Sequence, residues 1–267
     1  MQPLESLEES VARQILGVFT DIDGTITDGG KLPAGAYDAL WRLHMAQLRV
    51  VPVTGRPAGW CDLIAREWPV DGVVGENGAL AFYEQNGRLE RLFHPSVAAD
   101  ARQALDQVRR RILAEVPGAR VAKDQPYRQF DLAIDFCEEP PDLGLAVAER
   151  IKAIFEEVGA HAKISSIHVN GWFGDYDKLS MVKAFCRERW DERLEDTAAR
   201  YIFCGDSPND EPMFAFFPNS CGVANITSFV KTMRALPRVV AGKPGAAGFV
   251  EIVDTLLAKR TRPGLGP

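Results

Sequence analysis

The chain has 267 residues, of which 46% are hydrophobic and 25% charged, and its formal net charge at pH 7 is −6. This composition is typical of a soluble globular protein with room for two lobes, and the acidic charge argues against nucleic acid or an anionic membrane as a partner. No apolar run approaches the roughly 20 residues that a membrane-spanning helix needs.

The first predicted element is a short amphipathic helix in the acidic start "MQPLESLEESVARQIL", which resembles neither a secretory signal nor a transit peptide. Five scattered cysteines follow along the chain, an odd number without a C-x-x-C pair. This pattern favours reduced core thiols and a cytoplasmic location.

Three near-continuous apolar runs in the first part of the chain predict buried strands, at 15–21, 48–54 and 70–75. Helical patterns open between them, near Pro33 and at Pro57. Strands of this kind alternating with helices indicate a parallel sheet that is covered on both faces.

The middle of the chain has a different pattern. "ALAFYEQNGRLERLFH" predicts a hairpin that turns at Asn86-Gly87. Beyond it, helices are predicted at about 96–116 and 143–158. Alternating strands are predicted in "ARVAKD", "RQFDLAIDF", "HAKISS" and "IHVNGW". The order of one helix followed by two strands occurs twice, which predicts a small antiparallel sheet with helices on one face.

Apolar strands alternating with helices return in the last part of the chain. The strands are predicted in "YIFCGD", "SCGVAN" and "RVVAG", and a closing helix is predicted in "GFVEIVDTLLAKR". The predicted fold is therefore α/β, a doubly wound parallel sheet built from 1–89 and 173–267, with an α+β cap domain inserted at 90–172. Two chain crossings make a hinge possible, for which Gly171 and Gly174 are the candidate residues.

Charged and polar motifs follow three of the predicted core strands. They are Asp21 and Asp23 in "DIDGT", Thr54-Gly55-Arg56 in "TGR", and Asp206 to Asp210 in "GDSPND". Ligands bind at the carboxyl ends of parallel strands, so these groups are expected to meet in one crevice. Converging carboxylates need a cation, and hard oxygen ligands favour Mg²⁺ over zinc.

Together with Lys178 in "GDYDKLSMVKAF", these segments resemble, in order, the four motifs of the haloacid dehalogenase superfamily of phosphohydrolases. "GENGA" (75–79) and "GVANI…GFVEIV" resemble the branch with a type-two subtype-B cap, which includes sucrose-phosphate and mannosyl-3-phosphoglycerate phosphatases. The resemblance implies a Rossmann-like core and a magnesium-dependent phosphatase.

The resemblance also implies roles for the acidic residues and the lysine. Asp21 is the nucleophile that forms an aspartyl-phosphate, and Asp23 protonates the leaving oxygen and then activates water. Asp21, the Asp23 carbonyl, Asp206 and Asp210 are the candidate metal ligands, and Asp210 orients Lys178 or a metal-bound water. Lys178 offsets the charge of the phosphate and of Asp21.

The candidate phosphate-binding residues are Thr54, Gly55, Arg56 and Asn209. A hydroxyl and a backbone donor before a helix N-terminus make an anion site. Two roles stay open for Arg56, contact with the substrate or pairing with an acidic residue of the core.

Alternating polar residues in the cap strands turn one sheet face toward the predicted crevice. The candidates for substrate recognition there are Arg128, Lys163, Ser165, His168 and Asn170. Each can instead belong to a solvated face.

The expected function is hydrolysis of a small phosphorylated metabolite, for which a sugar phosphate is the family-level expectation. One alternative is a phosphomutase of the phosphomannomutase type, which "TGR" disfavours because that group carries a different second motif. The other is a non-catalytic binder of phosphometabolites, against which the complete catalytic set argues.

Overall fold

The computed structural model describes residues 1–97, 101–165 and 167–260. Its strands are β1 (Gln2–Pro3), β2 (Gly17–Thr20), β3 (Arg49–Pro52), β4 (Val73–Gly75), β5 (Leu80–Gln85), β6 (Arg88–Phe93), β7 (Arg120–Val121), β8 (Asp131–Asp135), β9 (His161–Ile164), β10 (His168–Trp172), β11 (Tyr201–Gly205), β12 (Asn219–Gly222) and β13 (Val239–Val240). Its α-helices are α1 (Glu9–Ala12), α2 (Ala34–Met45), α3 (Ala58–Glu67), α4 (Ala101–Glu115), α5 (Leu145–Glu157), α6 (Lys178–Trp190), α7 (Leu194–Thr197), α8 (Glu211–Phe216) and α9 (Gly245–Arg260). Over the described ranges, no helix is long and apolar enough to cross a membrane.

The core is a parallel sheet in the order β1-β13-β12-β11-β2-β3. A parallel bridge between Val53 and Val74 continues it to β4, which pairs antiparallel with β5. The predicted doubly wound α/β fold is confirmed.

Both faces of this sheet are buried, because successive side chains of one strand point to opposite faces. In β2, Val18 packs into one core with Leu40 and Phe249, whereas Phe19 packs into another with Phe185. The apolar runs of the sequence are near-continuous for this reason.

The N-terminal segment differs from the prediction of one amphipathic helix. Its first residues form the edge strand β1, and the α-helix is confined to Glu9–Ala12. Backbone pairing of Gln2 with Val239 and burial of Leu4 dock this segment on the core instead.

The predicted hairpin is present as β5 and β6. Asn86 and Gly87 both have a positive φ, 53° and 71°, as a tight hairpin turn requires. Leu80 and Phe82 of β5 are buried in the same core as α2 and α9, so this strand packs on the parallel sheet.

The cap elements form an antiparallel sheet in the order β7-β8-β10-β9. Ile112 of α4 and Phe155 of α5 pack against Val169 of β10 in a separate apolar core. Residues 98–100 of the predicted 96–116 helix and residue 166 of the "HAKISS" segment lie outside the described residues. The division of the chain into 1–89, 90–172 and 173–267 stays a prediction.

One of the two candidate hinge glycines has a packing role instead. Gly171 lies inside β10, where an added Cβ would come within 2.2 Å of the Phe155 ring. Gly174 has a φ of 118°, and a Cβ there would lie 2.3 Å from the Ser96 carbonyl oxygen. The two crossings between core and cap are therefore in direct contact at Gly174.

Candidate active site

The strand order places two acidic motifs side by side. After β2 the chain continues to β3 on one side of it, whereas β11 lies on the other side, so β2 and β11 form a switch point of the sheet. Such points open a crevice at the carboxyl ends of the strands. Asp21 follows β2 and Asp206 follows β11, and the Asp21 N–H donates to the Cys204 carbonyl at 2.8 Å.

Lys178, the first residue of α6, joins this pair of strand ends. Its Nζ donates to Asp21 Oδ1 at 2.7 Å and to Asp210 Oδ1 at 2.8 Å. All three side chains are buried. Asp177 caps the helix by accepting from the Ser180 N–H, which fixes where α6 begins and so where Lys178 points.

Asp206 is held by the side chains of Asn225 and Asp210. Asn225 Nδ2 donates to Asp206 Oδ2 at 2.9 Å and also to the Gly24 carbonyl, while the Asp206 N–H donates to Asp210 Oδ2 at 3.1 Å. Gly24 has a φ of 78°, and a Cβ there would lie 2.5 Å from Asp206 Oδ2. The glycine of "DIDGT" therefore leaves room for the carboxylate.

Arg56 pairs with Asp23. Its Nε lies 3.0 and 2.8 Å from the two Asp23 carboxylate oxygens, and its Nη2 lies 2.6 Å from Oδ1. The guanidinium carbon lies 4.4 Å from the centre of the Trp60 ring. Of the two roles left open for Arg56, the structure shows the pairing with a core acid.

Burial and like charge dominate the electrostatics of the acidic cluster. Burial raises the pKa of Asp21 well above its usual value, and the nearby Lys178 opposes this shift. Burial, followed by the charge of Asp210, raises the pKa of Asp206 to about 7. Burial lowers the pKa of Lys178, but the charges of Asp21 and Asp210 raise it more, so the ammonium stays charged.

The acidic cluster fits a divalent cation. Among the described residues, one carboxylate oxygen each from Asp21, Asp206 and Asp210 lies within 4.8 Å of the others. Lys178 is one positive charge among these three acids, and a hard dication would compensate the rest. Oxygen-only donors suit magnesium rather than a thiophilic metal.

A cavity of about 1400 Å³ lies between core and cap. Asp21, Asp23, Gly55, Arg56, Asp206 and Asn209 line its core side, and all five cap candidates line the other, namely Arg128, Lys163, Ser165, His168 and Asn170. Thr54 is fully buried, and its Oγ1 accepts from the Arg56 N–H at 3.0 Å.

The cap candidates differ in how firmly they are held. Arg128 is buried, and its guanidinium donates to Asp124, to Asp131 and to the Gly55 carbonyl of the core. Asn170 is also buried and donates to Asp131 at 3.0 Å. Lys163 is exposed.

The remaining two cap candidates are tied to neighbours within the cap. His168 is buried, with its Nε2 2.7 Å from Glu138 Oε2. Ser165 Oγ donates to the His168 carbonyl at 3.0 Å. Of the five candidates, Lys163 is thus the one whose side chain is exposed on the cavity wall.

Sequence reasoning missed two polar residues beside the cavity, Glu76 and Asn77 of "GENGA". Asn77 lines the cavity, and its Nδ2 donates to Asp131 at 3.3 Å. Glu76 is buried and bonded to both core and cap. Two polar residues before a glycine, directly after a buried strand, were the available signal.

Known proteins resemble this chain in sequence and in fold. The family model of haloacid dehalogenase-like hydrolases matches residues 18–130. A phosphoglycolate phosphatase of Pyrobaculum neutrophilum is 30% identical, over 90% of this chain and 95% of the relative. A second phosphoglycolate phosphatase, from Methanospirillum hungatei, is 25% identical over 89% of this chain and 94% of its own.

Solved structures share the fold at lower identity. A Thermoplasma acidophilum protein has a TM-score of 0.70 at 18% identity, covering 91% of this chain and 98% of its own. A sugar phosphatase of haloacid dehalogenase subclass IIB has a TM-score of 0.60 at 14% identity, covering 84% and 92%.

Fold, site and relatives define the class as a phosphatase with a Rossmann-like core and an inserted cap. The chain belongs to the haloacid dehalogenase-like hydrolases.

Proposed function

We propose that the protein is a magnesium-dependent phosphomonoester hydrolase that acts on a small phosphorylated metabolite through an aspartyl-phosphate. One observation carries the proposal. Lys178 bridges Asp21 and Asp210, and Asp21 lines a cavity whose wall also carries Asp23 and Asp206.

Asp21 is the proposed nucleophile. Its carboxylate attacks phosphorus, an acyl phosphate bond forms, and the bond from phosphorus to the ester oxygen breaks. Lys178, within 2.7 Å of Asp21, offsets negative charge on both the carboxylate and the transferring group.

Asp23 is the proposed acid and base. It gives its proton to the departing ester oxygen, and then takes a proton from the water that attacks the phosphorus of the intermediate. The Asp23 side chain is 27% exposed, and the Arg56 guanidinium donates to both of its carboxylate oxygens. Arg56 thereby orients the Asp23 carboxylate.

Magnesium, when bound by the carboxylates of Asp21, Asp206 and Asp210 with the Asp23 carbonyl, supplies positive charge that keeps Asp21 ionised and offsets the phosphoryl oxygens. Thr54, the Gly55 N–H and Asn209 are the proposed partners of those oxygens. Gly55 and Asn209 line the cavity, and Thr54 adjoins it.

For the alcohol half of the substrate, a sugar phosphate and phosphoglycolate are the two candidates. The first is the expectation from the sequence resemblance and is also favoured by the fold shared with a subclass IIB sugar phosphatase. The second is favoured by the names of two relatives that align along most of the chain. A cavity of about 1400 Å³ has room for either.

A panel of phosphate esters tests the proposal. Purified protein is assayed for phosphate release with Mg²⁺, and again after exhaustive chelation, on sugar phosphates, phosphoglycolate and p-nitrophenyl phosphate. We expect Mg²⁺-dependent release that is restored when the metal is returned. Full turnover in the chelated and still folded protein would contradict the metal requirement, and transfer to a second hydroxyl without phosphate release would indicate a mutase.

A further inference from the structure

The turn of "GENGA" has an unusual backbone. Glu76, Asn77 and Gly78 have φ values of 44°, 57° and 108°, all in the left-handed region that side chains disfavour. Two consecutive non-glycine residues in such a conformation cost stability, and they persist where surrounding contacts fix them. The contacts of this turn therefore indicate what the strain supports.

The Glu76 carboxylate accepts four backbone N–H groups from two parts of the molecule. Oε1 accepts from Ala58, the first residue of core helix α3, at 2.9 Å and from Gln129 of the cap at 2.8 Å. Oε2 accepts from Phe130 at 2.7 Å and from Asp131 at 3.2 Å. One buried side chain thus joins the start of a core helix to the segment that enters cap strand β8.

The same turn is bonded to the predicted phosphate-binding loop. The Glu76 N–H donates to the Arg56 carbonyl at 3.0 Å, and the Asn77 N–H donates to the Thr54 carbonyl at 3.1 Å. A Cβ on Gly55 would lie 3.0 Å from Asn77 Oδ1, so the two residues are packed against each other. The position of the "TGR" loop depends on this turn.

The turn also touches the lysine motif and the cap. A Cβ on Gly78 would lie 2.0 Å from the Asp177 carbonyl oxygen, directly before Lys178. On the cap side, Asn77 donates to Asp131, which also accepts from Arg128 at 3.0 Å. Arg128 in turn donates to the Gly55 carbonyl at 3.0 Å.

We propose that Glu76 is a positioning residue that anchors the cap to the phosphate-binding loop, so that the cap lies over the site in register with the catalytic groups. Glu76 touches neither Asp21 nor Asp23, the two proposed reacting residues, and it acts through the backbone of residues 58 and 129–131. The kinetic part of this inference rests on the proposed function, whereas the structural part does not.

The substitution Glu76→Gln tests the anchor with almost no change in shape. Its amide nitrogen donates rather than accepts, so one pair of backbone N–H groups loses its acceptor whichever way the amide is turned. Glu84→Gln is the matched control. Glu84 is exposed at the end of β5, so this substitution makes the same chemical change away from the site.

Backbone hydrogen exchange at pH 8 is the first measurement. Gln129 and Phe130 precede β8 and donate to Glu76, so in the wild type their amides are protected by Glu76 rather than by a strand ladder. We expect Glu76→Gln to speed exchange at 129–131 by roughly tenfold or more, as for a lost buried hydrogen bond, with Glu84→Gln unchanged. Unprotected amides at 129 and 130 in the wild type would overturn the proposal even if the variant failed to fold.

Steady-state kinetics give the second measurement. In Glu76→Gln we expect KM to rise by roughly tenfold for the best ester of the panel, with a smaller change for p-nitrophenyl phosphate, which offers the cap little to contact. Equal losses on both esters with unchanged exchange at 129–131 would overturn the anchor. Absence of turnover in the wild type would overturn the proposed function instead, and the exchange result would still decide the role of Glu76.

Discussion

Arg56 shows how far a single residue can be assigned from sequence. Its place after "TG" put it near the crevice, but a long side chain there can reach several partners. The structure shows a pair with Asp23 supported by the Trp60 ring. Helix α3 begins at Ala58, directly after the predicted opening at Pro57, so this part of the Trp60 contact was predictable. The Asp23 partner was not, because it lies 33 positions away in sequence.

Arg128 was predicted as a candidate for substrate recognition or as part of a solvated face. The structure excludes the solvated face, because the guanidinium is buried and has two acidic partners, Asp124 and Asp131, and a core carbonyl. The recognition role stays a prediction. Those acids lie four residues before and three residues after Arg128, so the pairing was visible as a pattern. Its burial against the core depends on how the cap docks, and was not visible.

Glu76 gives a prediction about how the stability of the fold depends on pH. Burial, followed by the charge of Asp131, raises its pKa to about 7, while bonds from the Phe130, Gln129 and Ala58 N–H groups oppose this shift. Asp131 is paired with Arg128, and Cys61 and Tyr176, the other titratable neighbours, have pKa values raised by burial and stay neutral.

A raised pKa means that the folded protein holds this proton more tightly than the unfolded chain. The stabilising effect of protonated Glu76 on the fold is complete below about pH 4.5 and is lost as the pH rises through about 7. Denaturant titrations should therefore show the free energy of unfolding of the wild type, minus that of Glu76→Gln, falling by about 3 kcal/mol from pH 4.5 to 8. A difference that stays constant over this range would contradict the raised pKa.

At the scale of elements, the strands were predictable because a parallel sheet buries both faces of each strand. "ILGVFTD" and "YIFCGD" are apolar up to their terminal aspartates, so strand and motif were identified together. The partners of the "GENGA" turn were not predictable, because Glu76 bonds to residues 53 to 55 positions away. The N-terminal segment was predicted as a helix because its strand partner β13 is even more distant in sequence, with Gln2 paired to Val239.

Cap strand β9 gives a prediction about specificity. Lys163 is exposed and lines the cavity, so its ammonium is available to the alcohol half of a substrate. Lys163→Ala should lower kcat/KM for the best ester of the panel by a larger factor than for p-nitrophenyl phosphate, at unchanged stability. Equal effects on both esters would assign Lys163 to the solvated face.

At the scale of the whole molecule, the two lobes supply different parts of the site. Three strand ends supply Asp21, Asp206 and Thr54, which the sheet order brings to one edge, and the capped start of α6 adds Lys178. The cap contributes polar groups to the opposite wall of the cavity. We therefore expect the core to set the reaction and the cap to set the substrate.

Trapping the phosphoenzyme tests the central claim most directly. The best ester of the panel is mixed with wild type, Asp21→Asn and Asp23→Asn in the presence of Mg²⁺, quenched in acid and analysed by peptide mass spectrometry. We expect a phosphoryl group on Asp21 in the wild type. Asp23→Asn should retain some of it, because that variant loses mainly acid–base catalysis, which contributes about 10²- to 10⁴-fold. Asp21→Asn should carry none, and its turnover should be abolished. A phosphoryl group on another residue, or near-normal turnover by Asp21→Asn, would contradict the account.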